Sequence, residues 1–113
     1  MKDCVFCKLA NSEEKIYEND NFYSIWDANP LTEGHALVIP KKHFETILDL
    51  PSVFGNELID CIKKTSLIII EKFKVEGFNV VQNNKEVAGQ VVPHLHFHII
   101  PRRENDGIKL ASK

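Results

Sequence analysis

Three of the chain's five histidines, His94, His96 and His98, lie at alternate positions in one short stretch. The residues between them, Leu95 and Phe97, are apolar, and a period of two is typical of a β-strand with one buried face. The pattern therefore predicts a strand with one face of imidazoles and one apolar face. Alternate side chains on such a face lie about 6.6 Å apart, close enough for two imidazoles to flank one phosphate-sized group.

Neighbouring imidazoles of this kind suit nucleophilic and acid–base chemistry near neutral pH. An unperturbed histidine has a pKa of about 6.5, so the neutral, nucleophilic form is plentiful at pH 7. One ring can then attack while another donates a hydrogen bond. The alternatives are an exposed strand that happens to be rich in histidine and a surface metal site. The preceding Gly89-Gln90 pair and the closing Pro101 favour the catalytic interpretation.

This stretch resembles the signature of the histidine triad (HIT) family, in which three histidines alternate with apolar residues. Upstream, the resemblance includes Asn83, Ala88, Gln90 and Val92, and overall it covers nearly everything from residue 4 to about residue 103. HIT proteins are nucleotide-binding hydrolases and transferases. The resemblance implies an α+β domain with an antiparallel sheet, and a homodimer in which two such sheets become continuous.

The family also implies roles for individual residues in cleaving AMP-X or GMP-X compounds, either phosphoramidates or dinucleoside polyphosphates. His96, which has an imidazole on either side, is expected to attack the α-phosphate and form a nucleotidyl-histidine intermediate. His98 is expected to donate to the non-bridging phosphate oxygens. Gln90 is expected to reach the same phosphate or the bridging oxygen.

A purine nucleoside is expected to contact residues from several parts of the chain. Asp27 matches the family's acidic residue that binds both ribose hydroxyls, a task suited to a carboxylate because it offers only acceptors. The residues expected to sandwich the base are Phe6, Leu9, Ile25 and Trp26. Asn83 corresponds to a family asparagine near the phosphate and sugar. Taken alone, Asp27 and Asn83 could each be a simple turn residue.

Val91 departs from the family pattern, because relatives commonly carry Ser or Thr after the Gly-Gln pair. The segment keeps its backbone N–H groups for the nucleotide, but valine lacks the hydroxyl that can hydrogen-bond near the phosphate or leaving group. A changed substrate preference or a reduced rate would both fit. The departure also keeps open a zinc-containing nucleotide-binding adaptor with little turnover, and a zinc-stapled interaction module is a third alternative.

Cys4 and Cys7 form a Cys-x-x-Cys pair, which in a reducing compartment indicates a metal or redox site rather than a disulfide. The pair does not join a strand and helix of a βαβ unit, so a redox role is disfavoured. Relatives with this pair complete a structural zinc site with two histidines, which correspond to His43 and His94. In zinc-free relatives these histidines are candidates for a proton relay to the leaving group, a role that metal-bound imidazoles cannot perform. The proton would then come from His98 or water, or the leaving group would need no strong acid.

Composition and charge exclude several classes of function. The net charge is −2 and the sequence pI about 6.2, so duplex nucleic acid is not an expected partner. The longest wholly apolar run, residues 67–70, is far shorter than the roughly 20 residues of a membrane span, and the polar N-terminus does not resemble a signal peptide. We therefore expect one cytoplasmic domain over residues 1–113, with residues 104–113 as a mobile tail.

Periodicity predicts the elements that position these residues. The expected strands are residues 16–18, 22–27, 35–40, 78–82 and 91–101. A short N-terminal helix holds the two cysteines, and a long helix, with Ser52 as its N-cap, continues until Gly77 and buries Cys61. The run at residues 67–70 places apolar side chains on more than one helix face, which favours a second copy of the chain as partner. His35 is expected to be a packed or loop-facing structural histidine.

Overall fold

A computed structural model of the protein, which describes residues 3–110, contains a five-stranded antiparallel sheet packed against one long helix. The strands are β1 (Tyr17–Glu18), β2 (Phe22–Trp26), β3 (Ala36–Pro40), β4 (Gly77–Gln82) and β5 (Phe97–Arg102). The helices are α1 (Val5–Leu9) and α2 (Gly55–Phe73), and short 3-10 turns lie at Ile47–Asp49, Ser52–Phe54 and Glu86–Ala88. The spatial order β1-β2-β3-β5-β4 places β3 and β5 side by side near the centre. The predicted α+β architecture is confirmed.

The two faces of the sheet carry separate apolar clusters. On the α2 side, Phe22 and Val38 pack in one cluster with Cys61, a fully buried thiol as the sequence predicts. On the other side, Tyr23 packs with Phe6 from α1. Because side chains alternate along β2 and β3, these strands contribute to both clusters. The α1 side is the face that carries the histidines.

The ends of α2 differ from the sequence prediction. Ser52 lies in a 3-10 turn and makes no capping hydrogen bond, so its prediction as the helix N-cap is wrong. The helix ends at Phe73, and its C-cap Lys74 has a left-handed conformation (φ 55°) that glycine adopts more readily, whereas Gly77 is the first residue of β4. The chain turns early because Val75 enters the core, where it is 6% exposed. Within residues 3–110, no helix is long and apolar enough to cross a membrane.

The triad is only partly strand, although residues 91–101 were predicted to form one. β5 begins at Phe97, so His94 and His96 lie in the irregular segment that precedes it. Pro93 in that segment has no N–H for a strand ladder, and the N–H of Leu95 bonds instead to the carbonyl of Phe44 at 2.6 Å. The predicted alternation nevertheless holds, because Leu95, Phe97 and Ile99 are all buried in the α2-side core.

The residues after β5 are tied back to it through Asp106. Its carboxylate accepts hydrogen bonds from the Arg102 guanidinium at 2.8 and 2.9 Å, and from the backbone N–H groups of Arg103 and Ile108. The contact with Arg102 holds the pKa of Asp106 well below its usual range. The tail expected to be mobile is therefore hydrogen-bonded as far as residue 108, and residues 111–113 lie outside the described residues.

Candidate active site

The triad imidazoles lie close together on the α1 side of the sheet. The ring centroids of His96 and His98 are 5.0 Å apart, and Phe6 packs edge-on against His94 and His96 with centroid separations of 5.7 and 5.1 Å. His96 and His98 line a cavity of about 420 Å³, which we call the first cleft. Other residues of its lining include Asp27, Asn29, His35, Asn83, Val91 and Leu110. The predicted imidazole face thus becomes one wall of a cleft.

A backbone carbonyl holds His96 in the tautomer that a nucleophile needs. Its Nδ1 lies 2.8 Å from the carbonyl oxygen of His94. Because a carbonyl can only accept a hydrogen bond, Nδ1 carries the proton and Nε2 of the neutral ring keeps its lone pair. His96 is 7% exposed and its ring is braced by Phe6, so the orientation of the ring is constrained as well. A fixed, unprotonated nitrogen on a cleft wall can attack an electrophilic phosphorus.

His98, one residue into β5, contacts a second histidine. Its Nδ1 is 3.0 Å from Nε2 of His35, while the nearest Asp27 oxygen is 3.9 Å away. Burial, reinforced by the neighbouring His96 and His35, lowers the pKa of His98 to about 4, and the Asp27 carboxylate opposes this only in part. His98 is therefore neutral at pH 7 and carries one ring proton.

His35 is more than the structural histidine that the sequence predicts. It is buried, at 4% exposure, as a packed residue should be, but its Nε2 contacts both His98 and, at 3.3 Å, the carboxylate of Asp27. Burial lowers its pKa, and Asp27 opposes the shift. The pairing of β3 with β5, with Leu37 opposite His98, brings His35 to the triad across 63 positions of sequence. Sequence periodicity gave no signal for this contact, because it does not specify the pairing of β3 with β5.

Asp27 lies between the first cleft and a neighbouring one. One carboxylate oxygen accepts the N–H of Asn29 at 2.9 Å and the other faces His35. The remaining acceptor capacity of the carboxylate is available to hydroxyl groups. Asn83 lines the first cleft as well, and the contacts of both residues with a nucleotide stay predictions.

The second cleft, of about 660 Å³, has mainly apolar walls. It shares Phe6, Asp27 and Leu37 with the first cleft. The four residues expected to sandwich a base all line it: Phe6, Leu9, Ile25 and Trp26. A flat apolar group therefore fits beside the histidines.

Trp26 borders the second cleft from the opposite face of β2. Side chains alternate along this strand, and the Trp26 ring packs edge to face against Phe73 on the helix side, with centroids 5.7 Å apart. The predicted contact of Trp26 with a base stays a prediction.

Gln90 braces the loop before the triad. Its side-chain oxygen accepts the N–H of Lys85 and its amide donates to the carbonyl of Glu45, both at 2.6 Å, and the residue is 5% exposed. Backbone groups thus occupy both ends of the amide, and the contact of Gln90 with a phosphate stays a prediction. The next residue, Val91, is 89% exposed and lines the first cleft.

The four predicted metal ligands converge at the other end of the triad. Sγ of Cys4 is 3.2 Å from Nδ1 of His94, Sγ of Cys7 is 3.4 Å from Nδ1 of His43, and all four ligand atoms lie within 4.8 Å of one another. His94 donates from Nε2 to the carbonyl of Pro40 at 2.9 Å, which leaves the Nδ1 lone pair pointing into the cluster.

The chemistry of this cluster suits zinc. Two thiols and two imidazoles are the donor set of many closed zinc sites, and a backbone partner on the distal nitrogen of a ligating histidine is a common feature of such sites. Burial lowers the pKa of His94 to about 4, so the ring is neutral, as a ligand must be. Burial and the contact with Cys4 raise the pKa of Cys7, a shift that a bound cation would reverse.

Comparison with known proteins finds relatives that are similar to this protein over most of the chain. A model of the HIT domain matches residues 8–105. An uncharacterized HIT-like protein of Methanocaldococcus jannaschii is 44% identical over 109 residues, which are 92% of this chain and 82% of that protein. Adenosine 5'-monophosphoramidase of Saccharomyces cerevisiae is 38% identical over 104 residues, which are 89% of this chain and 63% of that protein.

Solved structures agree with the sequence relatives. The crystal structure of a HIT family member from Bacillus subtilis superposes with a TM-score of 0.89 at 35% identity, covering 98% of this chain and 82% of the other. A zinc-bound histidine triad family protein from Mycobacterium smegmatis superposes with a TM-score of 0.86 at 32% identity, covering 99% and 84%. Because the family model matches most of the chain, the chain belongs to the histidine triad family of HIT-domain proteins.

Proposed function

We propose that the protein is a nucleotide hydrolase or nucleotidyl transferase that cleaves AMP-X or GMP-X compounds at the α-phosphate. The observation that carries the proposal is the His96 ring on the wall of a cleft. Its Nδ1 is held by a carbonyl, and its Nε2 has no hydrogen-bond partner among residues 3–110. The similarity to a yeast protein named adenosine 5'-monophosphoramidase supports the choice of substrate class. X is an amine, a phosphate chain or another small group.

A nucleotide can be accommodated with its parts in both clefts. The base fits against Phe6, Leu9 and Ile25 in the second cleft, and the ribose hydroxyls reach the Asp27 carboxylate at the junction. The α-phosphate then lies in the first cleft beside His96 and His98, two of the three imidazoles that line it.

The reaction we propose has two displacements at phosphorus. Nε2 of His96 forms a bond to the α-phosphorus while the bond from phosphorus to X breaks, and X leaves with a proton from solvent or from a ring N–H. Water then attacks the nucleotidyl-histidine, which releases AMP or GMP and restores the free imidazole. His98, neutral and adjacent, donates its N–H to the phosphate oxygens and stabilises the charge that develops there.

We also propose that Cys4, Cys7, His43 and His94 hold a structural zinc. When bound, the metal would cross-link α1 to the segment after β3 and to the start of the triad. Since Phe6 lies between the two cysteines and packs on His96, fixing α1 also fixes one wall of both clefts. The alternative function, a zinc-containing nucleotide-binding adaptor with little turnover, is favoured by Val91, which replaces the usual hydroxyl at the first cleft.

We further propose a homodimer formed through β4. This strand is a six-residue edge of the sheet, and Phe78 and Val80 on its α2-facing side are 38% and 44% exposed. In the apolar run of α2, Ile69 enters the core whereas Leu67 remains 60% exposed. An open, apolar edge of this length is ordinarily covered, and pairing with a second copy would extend the sheet.

Replacing His96 with Ala should abolish turnover but leave AMP binding within roughly tenfold of wild type, because one contact to bound product contributes about 1.4 kcal/mol at most. A panel of nucleoside phosphoramidates and dinucleoside polyphosphates, with nucleotide release as readout, measures the turnover. The comparison variant His98→Ala should weaken both binding and rate, since His98 contacts the phosphate before and during the displacement. Full activity of His96→Ala would refute the nucleophile role, and tight AMP binding by an inactive wild type would favour the adaptor.

Protein purified without added metal should contain about one zinc per chain. Cys4→Ser should lose the metal and lower the melting temperature, because the site ties α1 to two distant segments. Cys61→Ala is the matched control, since this thiol lies in the core away from the cluster and its variant should keep its zinc. Elemental analysis measures the zinc content. Less than about a tenth of a zinc ion per chain, with no uptake when zinc is added, would rule the site out.

Light scattering at micromolar concentration should give a mass about twice the 12.9 kDa of one chain. Val80→Lys, which puts a charge on the edge strand, should shift the mass toward the monomer. Val87→Lys is its control, because Val87 is 97% exposed in the 3-10 turn Glu86–Ala88 and not in the edge strand itself. A wild-type mass near that of one chain would contradict the dimer, and an equal effect of the two variants would contradict its placement at β4.

A further inference from the structure

A short chain of hydrogen bonds runs from the backbone through His35 to His98. The N–H of Leu31 lies 3.0 Å from Nδ1 of His35, and Nε2 of His35 lies 3.0 Å from Nδ1 of His98. His35 is 4% exposed, so water does not compete for either contact. The first donor is a backbone N–H, which can donate a hydrogen bond but cannot accept one.

That amide determines where the protons lie. Because Leu31 donates to Nδ1 of His35, this nitrogen must be the acceptor, and the neutral ring carries its proton on Nε2. Nε2 of His35 therefore donates to Nδ1 of His98. Since Nδ1 of His98 accepts, the one ring proton of neutral His98 must be on Nε2. In the described part of the chain, that Nε2 has no hydrogen-bond partner, and the ring lines the first cleft.

The Asp27 carboxylate does not alter this assignment. Its nearer oxygen is 3.3 Å from Nε2 of His35, so the two acceptors share the His35 proton. A proton on Nδ1 of His98 would instead face the His35 proton across 3.0 Å, and Asp27, 3.9 Å away, is too far to accept it.

The same three side chains could be taken for a metal site, since their ligand atoms lie within 4.8 Å of one another. A metal on Nε2 of His35 would require a lone pair there and, in the neutral ring, a proton on Nδ1. That proton would point at the N–H of Leu31, which donates to the same atom. The hydrogen bond from Leu31 therefore disfavours a metal at this position.

We propose that His35 is a positioning residue, which locks His98 as the Nε2–H tautomer and so presents an N–H donor to a phosphate oxygen beside the nucleophile. His96 is locked in the opposite tautomer by the carbonyl of His94. The site then carries one lone pair and one N–H donor side by side, an arrangement that selects an electrophile with an anionic oxygen. The catalytic consequence rests on the proposed function, whereas the tautomers themselves do not.

The direct test is a nitrogen-15 spectrum of the zinc-loaded wild-type protein labelled at histidine, recorded without substrate. We expect a protonated Nε2 and bare Nδ1 for His98, the reverse for His96, and a nitrogen–nitrogen coupling between Nε2 of His35 and Nδ1 of His98. A proton on Nδ1 of His98, or a second zinc per chain bound through His35, would overturn the proposal. Because no turnover is needed, this result is independent of whether the proposed reaction occurs.

Two variants connect the tautomer to catalysis. His35→Leu removes the donor, so His98 should exchange between tautomers and kcat/KM for a nucleoside phosphoramidate should fall about tenfold, the effect of one lost hydrogen bond. His35→Gln keeps an N–H near the position of Nε2 and should restore the rate to within about threefold of wild type. A His35→Leu protein that keeps both the Nε2–H tautomer and full activity would contradict the proposal. If that variant does not fold, the wild-type spectrum and the rescue by Gln still decide it.

Discussion

The site depends on backbone groups that each fix one ring nitrogen of a histidine. The carbonyl of His94 fixes His96, the carbonyl of Pro40 fixes His94, and the N–H of Leu31 fixes His35. A carbonyl can only accept and an amide N–H can only donate, so each contact selects one tautomer. The fold thus sets the chemistry of the imidazoles through backbone groups, and no charged side chain of residues 3–110 forms an ion pair with His96.

These contacts require segments far apart in the sequence to be held together by the sheet. The central pairing of β3 with β5, in which Leu37 is opposite His98, brings His35 beside the triad. The same adjacency allows the end of β3 to supply the carbonyl of Pro40 to His94. Burial then lowers the pKa values of His94 and His98 to about 4, so both rings are neutral near pH 7. The neutral ring of His94 can act as a metal ligand, and that of His98 can act as a hydrogen-bond donor.

Sequence reasoning predicted the parts of the site that depend on local residue patterns or on the spacing of the family's motifs. The alternation of the triad correctly predicted which side chains enter the core, and the Cys-x-x-Cys pair with the two matched histidines converges as expected. It did not specify the tertiary contacts. Local pattern does not show that two backbone groups hold the amide of Gln90, or that the ring of Trp26 packs on Phe73 at the helix side. The role of His35 was missed because its partner is across a strand pairing that sequence periodicity does not specify.

The central claim is that His96 forms a covalent bond to the nucleotide, and trapping that bond tests it most directly. Wild-type protein is mixed with a labelled nucleoside phosphoramidate, quenched in base before the steady state, and mapped by mass spectrometry. A phosphorus–nitrogen bond at histidine survives base better than acid, so a nucleotidyl adduct should be recovered on His96. Recovery of the nucleotidyl group on His94 or His98 instead would contradict the account.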